Sequence, residues 1–197
     1  MSILVLTSDT LIGTPATGNL EYNGQFFGTD SNASRAQLQR ITLGTAVAST
    51  SGTSIDFTGL PEWVKRVTVM FSGMSTNGTS LPQIQIGSGS FVTSGYISAV
   101  TNIQNTTQYS AFPTTGFGLF IAANYSAATP LTGVIVLTII SGNTWLCSGT
   151  VCRTDTATTA GTATGSLSLS GTLDRVRITT VNGTDTFDAG TINILYE

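Results

Sequence analysis

The residues predict an all-β protein: an antiparallel β-sandwich, jelly-roll-like, preceded by an extended N-terminal arm that carries a β-hairpin. Three observations predict it. Thr, Ser and 22 glycines dominate the 197 residues, and runs of Ala, Leu, Glu and Lys are absent, which favours strands and turns over helices. Roughly nine extended segments follow one another with turn residues every ten or so positions, the spacing of a sandwich. The stretch Trp63–Ser72 (WVKRVTVMFS) puts Trp63, Lys65, Val67, Val69 and Phe71 on one strand face and Val64, Arg66, Thr68, Met70 and Ser72 on the other. Its second half is β-branched and aromatic on both faces, so it reads as a central strand covered on both sides.

The length leaves room for one domain with a sizeable core, plus an arm. We place the arm at residues 1–48 and the sandwich at 49–197. In the arm, Ile3–Leu6 reads as a short strand and Thr14–Gly18 as a loop around Pro15. Leu20–Phe27 holds two apolar runs around Asn23-Gly24, the strongest local signal for a tight hairpin. Arg35–Leu43 fits either a strand or a single helical turn. The arm has too few apolar residues for its own core and is expected to lie on something else, either its own domain or a neighbour.

Ala48–Thr53 is small and polar and reads as a linker. Ser54–Phe57 is a strand with Ile55 and Phe57 on one face. After the central strand, Ser75–Ser80 is a turn and Gln83–Ile86 a strand with Ile84 and Ile86 inward. Phe91–Val100 is mostly extended, Asn102–Ser110 is amide-rich, and Phe117–Ala122 returns to strand character. Thr132–Ser141 is the second strongly buried strand, and Gly142-Asn143 turns it into Thr144–Thr154. Asp155–Ala163, a Thr/Ala/Gly tract, reads as an exposed loop. Gly165–Leu169, Arg175–Val181 and Thr191–Tyr196 close the sheets. The last alternates Ile192, Ile194 and Tyr196 with Thr191, Asn193 and Leu195, as expected of a strand docked inside a sheet. Arg175 and Arg177 share a cationic face, with Asp174, Asp185 and Asp188 near in sequence.

Composition excludes several functions. Charged residues are 9% and the net charge is -3, so there is no electrostatic footprint for nucleic acid or an anionic membrane. The apolar runs are too short to span a bilayer as a helix, and the first residues lack the basic start of a secretory signal. With no histidine, the commonest general base is missing, and neither a serine triad nor a cysteine–histidine pair can be assembled. The acidic residues stand beside turn residues, where they cap backbone groups. Asp185 and Asp188 are the one pair considered for calcium, against that capping role. Cys147 and Cys152 fall in one candidate hairpin, and both a small-loop bridge and two free buried thiols fit; zinc lacks a histidine to complete its site. We expect no catalytic residue, cofactor or metal. The Asn-x-Ser/Thr triplets arise by chance in so hydroxyl-rich a chain. So few charges, with a positive mean hydropathy, point to surface covered by copies of the chain or by a partner. Tyr96, Tyr109, Phe112 and Tyr125 lie in or near candidate loops, with Asn102, Gln104, Asn105 and Gln108 nearby. They are the candidate glycan contacts, weighed against a role as core or interface filler.

Pro15, Gly18, Leu20, Glu21, Tyr22, Gly24, Phe26, Phe27 and Arg35 follow a pattern of loop, Leu-Glu-Tyr, turn, aromatic pair and polar stretch with arginine. That pattern resembles a short element of tail-fibre and related structural proteins of tailed bacteriophages. The segments DFTGLPEWVKRVTVMFSGMSTNGTS and LDRVRITTVNGTDTFDAGTINILYE are similar to β-rich phage tail and virion proteins. The resemblance implies a non-enzymatic protein on the exterior of the virion, trimeric, attached by its N-terminal part to capsid or tail proteins. The docking residues would be Leu20, Tyr22, Phe26, Phe27 and Arg35. The chain departs from long fibres in lacking a shaft or heptad repeat. Capsid decoration, cement or a head fibre is the favoured role; the alternative is a tail-fibre receptor-binding protein recognising host surface glycan.

Overall fold

A computed structural model describes residues 14, 16–23, 25–121, 125–155 and 159–197. The strand expected at Ile3–Leu6, and Pro15 and Gly24 of the arm, lie outside them. The chain divides into two units, residues 1–40 and 41–197. All regular structure among the described residues is β, and every strand pairing is antiparallel.

In the first unit, β1 (Leu20–Tyr22), β2 (Phe26–Thr29) and β3 (Arg35–Gln37) form a three-stranded sheet. Tyr22 pairs with Phe26, so the hairpin closes over residues 23–25, one residue more than a two-residue turn. Arg35 and its neighbours take the strand alternative.

The second unit is a two-sheet antiparallel sandwich. Its nine-stranded sheet runs β11 (Thr107–Ala111), β10 (Ile97–Gln104), β15 (Thr159–Ser168), β14 (Thr144–Arg153), β13 (Leu131–Ser141), β7 (Arg66–Thr76), β17 (Phe187–Tyr196) and β4 (Thr42–Leu43), with β5 (Val47–Ala48) also on β17. The second sheet runs β12 (Phe117–Gly118), β8 (Pro82–Ser88), β16 (Arg175–Thr180) and β6 (Ser54–Thr58), with β9 (Ser90–Phe91) on β8. Residues 41–48, placed above in the arm, therefore belong to the sandwich. The stretch read as a linker is built into it too: Ser49 is buried, its N–H donates to the Gly190 carbonyl (2.9 Å) and its hydroxyl to the Ala189 carbonyl (2.8 Å).

Alternation decides what faces the core. Val67, Val69 and Phe71 of β7 point inward beside Ile135 and Leu137 of β13 and Ile192 and Ile194 of β17. From the other sheet, Ile84, Ile86, Val176, Ile178 and Ile55 meet them in one apolar cluster. Each fully buried aliphatic side chain contributes about 1.5–3 kcal/mol of transfer free energy. The chain end is fixed as its alternation predicted: β17 lies between β7 and β4/β5, and the Glu197 carbonyl accepts the Lys65 and Arg66 N–H groups at 2.7 and 2.8 Å.

Two further expectations need correction. β7 and β13 are covered on one face only. Their other faces carry Thr68, Met70, Val134 and Val136, half-buried or exposed. The tract read as an exposed loop from Asp155 to Ala163 joins the sheet from Thr159 onward, where β15 pairs with both β10 and β14. Its small residues are required by packing. A Cβ on Gly161 would press on the Asn102 side chain at 2.5 Å, and one on Gly165 would sit 2.8 Å from the Phe117 ring of the facing sheet.

Adjacent positions on β13 test this geometry. Leu137→Ala should lower unfolding free energy by about 2–5 kcal/mol, and Thr138→Ala, on the outer face, by no more than about 0.5 kcal/mol. Equilibrium urea unfolding checks both. Equal losses would contradict the assigned faces. Gly165→Val should cost at least about 1–3 kcal/mol by overpacking against Phe117.

Candidate functional surfaces

In the arm sheet the register puts Leu20, Tyr22, Phe26 and Ala36 on one face, and Leu38 joins them through its N–H bond to the Phe26 carbonyl. The Tyr22 and Phe26 rings pack at 5.0 Å. Leu20, Phe26 and Leu38 are nevertheless exposed, at 62%, 44% and 53%. Phe27 and Arg35 stand on the opposite face with Glu21, whose carboxylate accepts two bonds from the Arg35 guanidinium at 2.7 and 3.2 Å. The five expected docking residues are thus split: Leu20, Tyr22 and Phe26 make an apolar face, while Phe27 and Arg35 belong to the polar one.

The expected glycan contacts do not form a patch. Tyr96 is buried: its hydroxyl accepts the Ile86 N–H (2.8 Å) and donates to the Val92 carbonyl (3.0 Å), and its ring packs edge-on against Phe117 at 4.9 Å. Burial pushes its pKa well above the ordinary tyrosine value. Tyr125 is also buried, 6.1 Å from Phe120, and burial raises its pKa too. Asn102 is a core amide accepting the Ile121 N–H at 3.1 Å. Only Phe112 is well exposed, with Tyr109 half-buried on the edge strand β11. Phe112 lies on an apolar groove of about 260 Å³ with Leu81, Pro82, Val100, Phe120 and Val181, a lining suited to apolar groups and not to a sugar's hydroxyls.

Sequence reasoning missed a polar cleft of about 380 Å³ on the outer face of the smaller sheet, lined by Gln83, Gln85, Thr93, Thr115, Arg177 and Thr179 among others. Its groups bond chiefly to one another. The Thr115 hydroxyl donates to Gln83 Oε1 (2.8 Å), Gln85 Nε2 to the Thr115 carbonyl (2.9 Å), and the Thr179 hydroxyl to the Thr53 carbonyl (2.8 Å). Arg177 forks onto Asp56 at 2.8 and 2.6 Å and lies 4.0 Å over the Phe91 ring. The cationic face expected from Arg175 and Arg177 is therefore neutralised, by Asp174 and Asp56 respectively. The Gln-x-Gln alternation of β8 was the available signal for the cleft.

The remaining reactive groups have structural duties. Asp185 accepts the Ser80 N–H (2.8 Å) and an Asn182 amide hydrogen (2.6 Å), and Asp188 accepts the Ser75 hydroxyl. Among the described residues no group of three or more His, Cys, Asp or Glu is placed to hold a metal, and no helix is long and apolar enough to cross a membrane. Cys147 and Cys152 lie on one strand, not across a hairpin, and both are free. They are five residues apart, so alternation sends Cys147 into the core and Cys152 to the outer face. Burial pushes the Cys147 thiol up to about 12.

Comparison with known family models, characterised proteins and solved structures finds no match.

Two predictions follow from this chemistry. Thiol reagents at pH 8 should leave Cys147 unmodified until the chain unfolds, and reductant should leave the melting temperature unchanged; an intramolecular bridge in a peptide map would contradict the strand assignment. At Asp56, burial pushes the pKa up but is outweighed by the hydrogen bonds and charge of Arg177, which hold it below the usual carboxylate value. Its contribution is therefore complete above about pH 4 and is lost as pH falls through the lowered value. The pair is partly exposed and contributes at most about 1 kcal/mol. Asp56→Asn should cost that amount at pH 6 and nothing near pH 2 in urea unfolding.

Proposed function

We propose that the chain is a non-enzymatic structural protein on the exterior of a tailed-bacteriophage particle. Its N-terminal unit docks onto capsid or tail proteins and its sandwich is displayed, as capsid decoration, cement or a head fibre. The observation that carries this reading is the uncovered apolar face of β1–β3. A three-stranded sheet is stable when a layer covers its apolar face. Among the described residues of the first unit nothing forms that layer. A neighbouring protein in the particle would supply it. The phage-like pattern falls on these strands, and among the described residues Asp56, Asp174, Asp185 and Asp188 are engaged in turns, hydrogen bonds and ion pairs.

The receptor-binding reading loses two of its four expected residues, since Tyr96 and Tyr125 are core. It would rest on the cleft beside Gln83, Gln85 and Arg177, whose polar groups already satisfy one another.

The test uses the full chain with Leu20 and Phe26 both changed to Asp, mixed with phage particles lacking the native copies. The wild-type chain should co-sediment with particles, and the variant should bind at least tenfold more weakly with an unchanged melting temperature. Equal retention of both would contradict docking through this face.

A further inference from the structure

The outer face of the nine-stranded sheet carries no function so far, and its composition is unusual. One ladder across it reads Ala99, Thr164, Ser148, Val136, Thr68 and Leu195. The next reads Thr101, Thr162, Thr150, Val134, Met70 and Asn193. Neither contains a charge. A third ladder, from Ile97 through Ser166, Leu146 and Thr138, ends at Arg66, which is paired with Glu197. Ile97, Ile103, Val134 and Leu146 are exposed on this face, Ile97 at 74%. By contrast, the outer face of the smaller sheet carries Arg175, Arg177 and Asp56.

We propose that this face is a self-association surface, covered by the same face of a second copy across a two-fold axis. Three observations select that occupant. The first is the outer side of β13, where Val134 and Val136 stand beside Met70 and Thr68 of β7; an apolar pair there suits a strand buried on both faces, and one chain buries only one. The second is charge. A two-fold axis sets a surface against itself, so any unpaired charge near the axis meets its like. The two central ladders have none to oppose. The third is area. Six strands (β10, β15, β14, β13, β7 and β17) carry about four outward positions each; at about 4.8 Å between strands and about 6.7 Å between outward residues they span about 24 Å by about 20 Å, and the short edge strands β11, β4 and β5 add about a fifth more. That is roughly 580 Å² per copy and about 1,150 Å² in all, above the roughly 1,000 Å² that a specific interface needs. Sheets stack face to face about 10 Å apart, and threonine methyls and hydroxyls serve such a layer as both contacts and hydrogen-bond partners. A three-fold arrangement is heterologous and would need a second, different patch complementary to this one. The inference does not rest on the virion reading: a dimer that fails to bind particles would defeat that reading alone.

Sedimentation equilibrium of the full chain tests it, with Thr150→Lys and Thr164→Glu on this face and Thr58→Lys on the opposite sheet as control. All three positions are exposed, and circular dichroism and melting confirm folding. The wild-type chain and Thr58→Lys should sediment at twice the 20.4 kDa mass of one chain at micromolar concentration. Each face variant should raise the dimer dissociation constant at least a hundredfold. A wild-type monomer at about 100 μM, a trimer, or a dimer that both face variants leave intact would overturn the proposal.

Discussion

The two-residue period of the strand is the constraint on which this molecule depends. On β7, β13 and β17 it sends Val67, Val69, Ile135, Leu137, Ile192 and Ile194 to one side, where they close a dry core against the second sheet. The same period sends Thr68, Met70, Val134, Val136 and Leu195 to the other side. Neither set tolerates a register slip. One residue of slip on β7 would bring Arg66 and Ser72 to the core side and set Val69 and Phe71 outside. The turns that fix register are accordingly well bonded. Asp185, Asn182 and Ser80 tie the turn after β16 to the one before β8, and a Cβ on Gly78 would collide with the Asp185 carboxylate.

Much of the sandwich was legible because burial and alternation coincide. The strands around Val67, Ile84, Ile135, Ile178 and Ile192 read directly from sequence. What was not legible depends on partners distant along the chain. Gly161 and Ala163 look like loop residues until Asn102 is seen to occupy the space that a side chain on Gly161 would need and Ala163 is found buried in the core. Tyr96 stood between surface contact and core filler on sequence, because its partners are distant: the Ile86 and Val92 backbone bonds its hydroxyl inside the core. The polar cleft was hidden for the same reason. Gln83 and Arg177 lie 94 positions apart and meet only through the pairing of β8 with β16. In the arm, the hairpin was readable, but the separation of Phe27 and Arg35 from the apolar face follows from register alone.

The distribution of charge ties the fold to its proposed role. The ion pairs sit at strand ends, in turns or on the smaller sheet: Arg35 with Glu21, Arg153 with Asp155, Arg175 with Asp174, Arg177 with Asp56. A fifth pair, Arg66 with Glu197, stands at the end of one outer ladder of the broad sheet; among the described residues the two central ladders of that sheet and the apolar side of the arm carry none. Charge depletion of a broad face together with uncovered apolar groups is the pattern of surfaces that meet protein, not water. A protein arranged this way, with its carboxylates spent on turns and guanidinium groups, is suited to being held in an assembly.

The most direct test of that account is a cryo-electron microscopy map of phage particles that carry this chain. The account predicts the sandwich on the outside, with the face formed by Leu20, Tyr22, Phe26 and Leu38 packed against another protein of the particle. Particles without the chain, or an arm whose apolar face meets only solvent in every copy, would contradict it.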